Sequence, residues 1–134
     1  MSEPTYDPDE PSRREAKSND QRLFEDAEDA AFILDPLDDR FVAANRAGVA
    51  MLGYPLDQLL RTPVSHIHPG ELPQLQDFVS RVLEHGHGTT IALTCRTQSG
   101  AYLPTEMSLH AFAGDGRVYI LALIKDRSEH RRPH

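Results

Sequence analysis

Seven histidines, one cysteine and a set of clustered carboxylates are the side chains of this 134-residue chain that could do chemistry. His66-Ile67-His68 and His85-Gly86-His87 each offer two imidazoles in a stretch short enough to close on one metal ion, and zinc accepts such ligands in a tetrahedral site. No cysteine or acidic pair completes that geometry, so no metal site is expected. Structural roles account for both pairs: His68 precedes Pro69 where a helix begins, and His85 ends a helix whose dipole favours a cation there.

Cys95 is the single cysteine, which rules out an intramolecular disulfide and fits a reducing cytoplasm. It alternates with strand residues, and a buried strand cysteine behaves as a small hydrophobe. The carboxylates cluster near the N-terminus and in the Asp35 to Asp39 turn, where solvated loop charge is the ordinary account. No nucleophile with a base and an orienting group stands out, and no glycine-rich phosphate loop follows a strand. The chain is therefore expected not to be an enzyme.

Charge is unevenly spread. Residues 1–40 carry 13 acidic and 5 basic side chains, and the rest carry 8 acidic and 9 basic, within a total of −7. The near-neutral body lacks the electrostatic footprint of a nucleic-acid binder and has no basic amphipathic helix for a membrane surface. No apolar stretch approaches the roughly 18 residues of a membrane span, and the N-terminus has no signal-peptide pattern.

The elements that must position these groups follow from apolar spacing and turn residues. Residues 1–17, with Pro4, Pro8 and Pro11 among charges, are expected to be a disordered leader. Ser18 or Asn19 caps a short helix over 18–28 carrying Leu23, Phe24 and Ala27. Ala31 to Leu34 and Arg40 to Ala43 read as a hairpin about Asp35-Pro36 and Asp38-Asp39. Asn45 caps the next helix, Val49, Ala50 and Leu52 give it a buried side, and Gly53 ends it. Pro55 and Pro63 start two very short helices. After His68-Pro69 the longest helical pattern places Leu72, Leu75, Val79, Val82 and Leu83 at spacings of three and four, with Phe78 widening the stripe.

Ile91, Leu93 and Cys95 then alternate with polar residues, and Thr97-Gln98-Ser99-Gly100 turns the chain into a strand through Leu103, Met107, Leu109 and Ala111. Gly114-Asp115-Gly116 makes a second hairpin into Val118 to Ile124. That last strand is apolar at both parities, as a central strand covered on both faces would be.

The ordered set of Asn45, Leu52-Gly53-Tyr54, His68-Pro69, Arg96 before Ser99-Gly100, and Asp126-Arg127-Ser128-Glu129 resembles the PAS family of sensory domains. The match runs over about residues 22–129, with the domain itself at 29–126. The resemblance implies an α+β fold: a five-stranded antiparallel sheet, order 2-1-5-4-3, with short helices and one longer helix forming a small pocket on one face. It implies a bacterial sensory or protein-interaction module, in which a small ligand or a partner shifts packing between pocket and sheet. An effector such as a kinase, cyclase or transcription activator would act in cis in a longer parent or in trans. Residues 127–134 would be the start of the signalling segment, cut short after Pro133.

On that reading the pocket is lined by Val49, Leu52, Leu75, Val79, Ile91, Leu93, Met107 and Leu109. Leu23, Phe24, Tyr119, Leu121 and Leu123 form a homodimer interface, because one of the two apolar sets of the last strand must face away from the helices. Arg96 and Asp126 are expected to meet near the Gly100 turn and relay the signal. Among oxygen-sensing relatives the iron ligand falls near Leu75, where no histidine lies. Haem held by His66 or His68 remains an alternative, as does a ligand-free structural dimerisation module. Light-sensing relatives need a helical thiol in an Asn-Cys-Arg setting, which Cys95 lacks; noncovalent flavin has no positive support, and no cofactor is expected.

Overall fold

A computed structural model describes residues 22–128. The leader over 1–17, the caps Ser18 and Asn19, and the chain beyond 128 lie outside the described residues. A short helical turn over 22–26 leads into β1 (Ala30–Asp35), which pairs with β2 (Arg40–Ala44). Then come α1 (Arg46–Leu52), α2 (Leu56–Leu59), a 3-10 turn (Val64–Ile67) and α3 (Leu72–His85). The chain closes with β3 (His87–Thr90), β4 (Thr94–Arg96), β5 (Tyr102–Gly114) and β6 (Arg117–Asp126).

All strand pairs are antiparallel, in the order β2-β1-β6-β5-β3 with β4 also on β5. This is the expected order, with the third strand broken in two. Thr90 faces Met107 and Thr94 faces Pro104, so four steps on one chain match three on the other. Because side chains alternate with a period of two, one extra residue exchanges the faces. Thr90 Oγ1 accepts from the Ala92 N–H at 3.1 Å within this break. Ile91 is thrown outward, 60% exposed, while Leu93 and Cys95 are buried.

β6 is central. Ile120, Ala122 and Ile124 point into the core, and the opposite parity, Tyr119, Leu121 and Leu123, makes the outer face. The β5–β6 hairpin turns in two residues, Asp115 (φ 51°) and Gly116 (φ 76°), a left-handed pair whose twist matches that of the strands it joins.

The helices pack on the inner face. Asn45, fully buried, does more than cap α1: its Oδ1 accepts from Gly48 N–H at 2.8 Å and Ala31 N–H at 2.9 Å, and its Nδ2 donates to Asp29 O at 2.9 Å. One amide thus joins a helix start to β1. It also sets the helix rotation, so the buried positions are Gly48 and Leu52, whereas Val49 is only partly buried and Ala50 is exposed. Any Cβ at Gly48 would lie 2.8 Å from the Phe32 ring. The C-terminal half of α3 rests on β3 where Gly88 leaves room, since a Cβ there would meet Phe78 Cε1 at 3.0 Å and Val82 Cγ2 at 3.1 Å.

Candidate functional site

Between the inner sheet face and the helices lies a cavity of about 530 Å³. α3 carries two adjacent stripes. Leu75, Phe78 and Val82 are buried, while Leu72, Gln76, Val79 and Leu83, at spacings of three and four, follow the cavity with Leu75. Phe32, Met107, Ile120 and Ile124 furnish the sheet side. The cavity opens between the β1–β2 turn and α3, where Leu37, Leu72 and Leu83 are 79%, 42% and 42% exposed.

Polar groups are few and mostly committed. Asp35, only 2% exposed, accepts from the Leu37 and Asp38 N–H groups at 3.1 and 3.2 Å and pairs with Arg117 at 2.8 Å. Burial pushes its carboxyl up, but the Asp38 N–H, the Arg117 charge and the Leu37 N–H outweigh this and hold it below the ordinary carboxylate value. Arg117 also reaches Asp38 at 3.1 Å, and these two carboxylates raise its own pKa.

Asp39, left-handed at φ 53°, binds the 3-10 turn from a distance: its carboxylate accepts from Ser65 N–H at 3.0 Å and Ser65 Oγ at 2.6 Å. The Ser65 N–H is a donor that a helix start leaves unpaired.

His68, Glu71 and Thr94 form a clamp between the helical segment and β4. His68 Nδ1 lies 2.6 Å from Thr94 O, which can only accept, so Nδ1 carries the proton. Glu71 accepts from Thr94 N–H and Oγ, each at 3.0 Å. Burial lowers the His68 pKa against the opposing pull of the Thr94 carbonyl and Glu71, which keeps the ring neutral at pH 7. Burial, with Glu71 and Asp126 adding, pushes the Cys95 thiol up to about 12, so this wall residue is no thiolate.

Of the residues predicted to line the pocket, Leu52, Leu75, Val79, Met107 and Leu109 lie in the wall. Val49 does not, because the Asn45 contacts turn α1 away; Leu93 is core beside the cavity, and Ile91 is on the surface. Phe32, Ile120 and the acidic turn were missed, since apolar alternation marks buried positions without saying which of them border a void.

Arg96 and Asp126 do not meet. Arg96 pairs with Tyr102 and Asp126 with Thr105, three residues apart on β5 and on opposite faces. Arg96 Nη2 instead donates to His66 Nε2 at 2.9 Å, and Asp126 accepts from the Ser128 N–H at 2.9 Å. His66 is thereby exposed and outside the wall, leaving His68 as the cavity histidine. Among the described residues no three metal-ligating side chains gather, and no helix is long and apolar enough to cross a membrane.

On the outer face Tyr119 and Leu121 are half-buried, Leu123 is 37% exposed and the Phe112 and Tyr119 rings lie 5.7 Å apart. Leu23 is exposed and Phe24 half-buried.

Solved structures share this architecture. A PAS domain from a two-component sensor histidine kinase superposes with a TM-score of 0.73 at 23% identity, over 86% of this chain and 98% of that one. A domain of a sensory box sensor histidine kinase/response regulator from Geobacter sulfurreducens gives 0.62 at 28% identity, over 82% and 94%. The PAS domain of nitrogen regulation protein NR(II) from Vibrio parahaemolyticus gives 0.68 at 15% identity, over 80% and 96%. No curated protein matches the chain. The family model described as PAS domain matches residues 28–129, a span running from just before β1 to just after β6 and enclosing the cavity, and the chain belongs to the PAS family.

Proposed function

We propose that this protein is a sensory domain of bacterial signal transduction that holds a small organic molecule in its cavity and passes occupancy along β6 to the segment after Asp126. The cavity carries this reading. Ile120 and Ile124 of β6 are wall residues, Tyr119, Leu121 and Leu123 of the same strand form the apolar outer face, and the strand ends at Asp126. A ligand that displaces the wall therefore acts on the strand that bears both the partner face and the C-terminal exit.

That outer face, together with Leu23 and Phe24, serves homodimerisation, since apolar surface of this kind favours association. The effector is a kinase, cyclase or transcription activator, in cis or in trans, in the cytoplasm. The naming of two of the similar structures as parts of sensor histidine kinases supports the kinase. No catalytic role and no resident cofactor belong to this reading.

Absorption spectroscopy and native mass spectrometry of protein made with haem and riboflavin available test it. The expected result is a colourless dimer that binds a small organic molecule. A Soret band lost in His68→Ala would replace it with a haem gas sensor. A dimer that neither carries nor takes up any small molecule would leave a structural dimerisation module.

A further inference from the structure

The cavity wall contains two carboxylates and no lysine or arginine. Asp35 already faces Arg117, and both Asp39 oxygens accept from Ser65. An anion entering here would find no counter-charge, and burying an unpaired charge is costly. The unused polar handle in the buried part of the wall is on His68, while Gln76 and Ser80 on α3 are exposed. With its proton fixed on Nδ1 by Thr94 O at 2.6 Å, Nε2 across the ring is an acceptor, and no described residue donates to it. The only sealed, unpartnered side-chain nitrogen or oxygen among the described residues is Arg117 Nε, so His68 Nε2 is not sealed, and His68 lines the cavity. The remaining wall, with Leu75, Val79, Met107 and Leu109, suits an apolar body.

We infer that the ligand is an uncharged, largely apolar molecule with one hydroxyl or N–H that donates to His68 Nε2, and that the site rejects carboxylates and phosphates. This rests on the cavity being a ligand site, and it narrows that reading to one chemical class. The mouth between Leu37, Leu72 and Leu83 lets the apolar part enter past side chains of its own kind.

Calorimetric titration at pH 7.5 with 1-octanol, octanoate and methyl octyl ether tests it, because chain length is matched while charge and the donor change. Octanol should bind more tightly than octanoate by at least about tenfold, the uncompensated charge being the cause. It should exceed the ether by about threefold to tenfold, the range of one net hydrogen bond. His68→Leu should bring octanol and ether together, and the wild-type ratio tests the donor independently of that variant. Val79→Trp, which narrows the cavity, should weaken octanol binding. Octanoate or the ether binding as well as octanol overturns the ligand class and leaves the cavity reading standing. If none of the three binds, or Val79→Trp binds octanol unchanged, the ligand-site reading falls with it.

Discussion

Asn45→Ala removes the acceptor of two buried N–H groups at once. Gly48 and Ala31 lose Oδ1 at 2.8 and 2.9 Å, and both residues are buried. An orphaned buried donor costs about 1–3 kcal/mol. The third bond, to Asp29 O, ends on an exposed residue whose carbonyl water can satisfy. Two orphaned donors therefore give a loss of about 3 kcal/mol, a large part of the roughly 5–15 kcal/mol a domain possesses. In a domain near 100 residues that corresponds to a fall in Tm of roughly 10 to 20 °C. Asn45→Asp keeps an oxygen for both N–H groups but buries a carboxylate with its second oxygen facing Asp29 O, so it should destabilise as well. Urea unfolding followed by circular dichroism, with an unchanged m-value, measures both. An Asn45→Ala loss below about 1 kcal/mol would refute the assignment of Oδ1 as the shared acceptor.

His68 has a folded pKa below the ordinary 6.5 because burial penalises the imidazolium. Folding thus favours the neutral ring: this contribution is complete above about pH 6.5 and is lost as the pH falls toward the depressed folded value. Urea midpoints between pH 7.5 and 5 should fall in wild type and fall less in His68→Gln; identical slopes would contradict the burial of a neutral ring. Gly48→Ala gains helix propensity worth about 1 kcal/mol but drives a methyl into the Phe32 ring, which costs about 1–3 kcal/mol. It should destabilise in wild type and stabilise when combined with Phe32→Leu, and a stabilised single variant in thermal unfolding would show that the helix can shift freely.

Much of the architecture was legible because it depends on local chemistry. Asn45 and Gly53 bound α1, the apolar spacing from Leu72 marked α3, and the Asp-Gly pair at 115–116 fixed the register of the long hairpin. Double-sided apolarity placed Val118 to Ile124 at the centre of the sheet, as β6 is. A third strand read as one unbroken alternation hid the extra residue between Thr90 and Thr94, whose effect on facing exists only against β5. Hence Ile91 was assigned to the pocket and lies in solvent.

The site shows the same division. Helical periodicity found Leu75 and Val79, and strand alternation found Met107 and Leu109, but which buried residues border a void is decided by how far α3 stands from the sheet. Asp35 read as a solvated turn charge because Arg117, its partner, comes from a strand remote in sequence that meets β1 only when the sheet assembles. Arg96 and Asp126 looked close when the strands were counted, yet the register sets them three residues apart along β5 on opposite faces. Residue types and spacing determined the elements, their order and the family likeness. Register, helix rotation and the space left over depend on contacts between residues distant in sequence, and only the tertiary structure decided them.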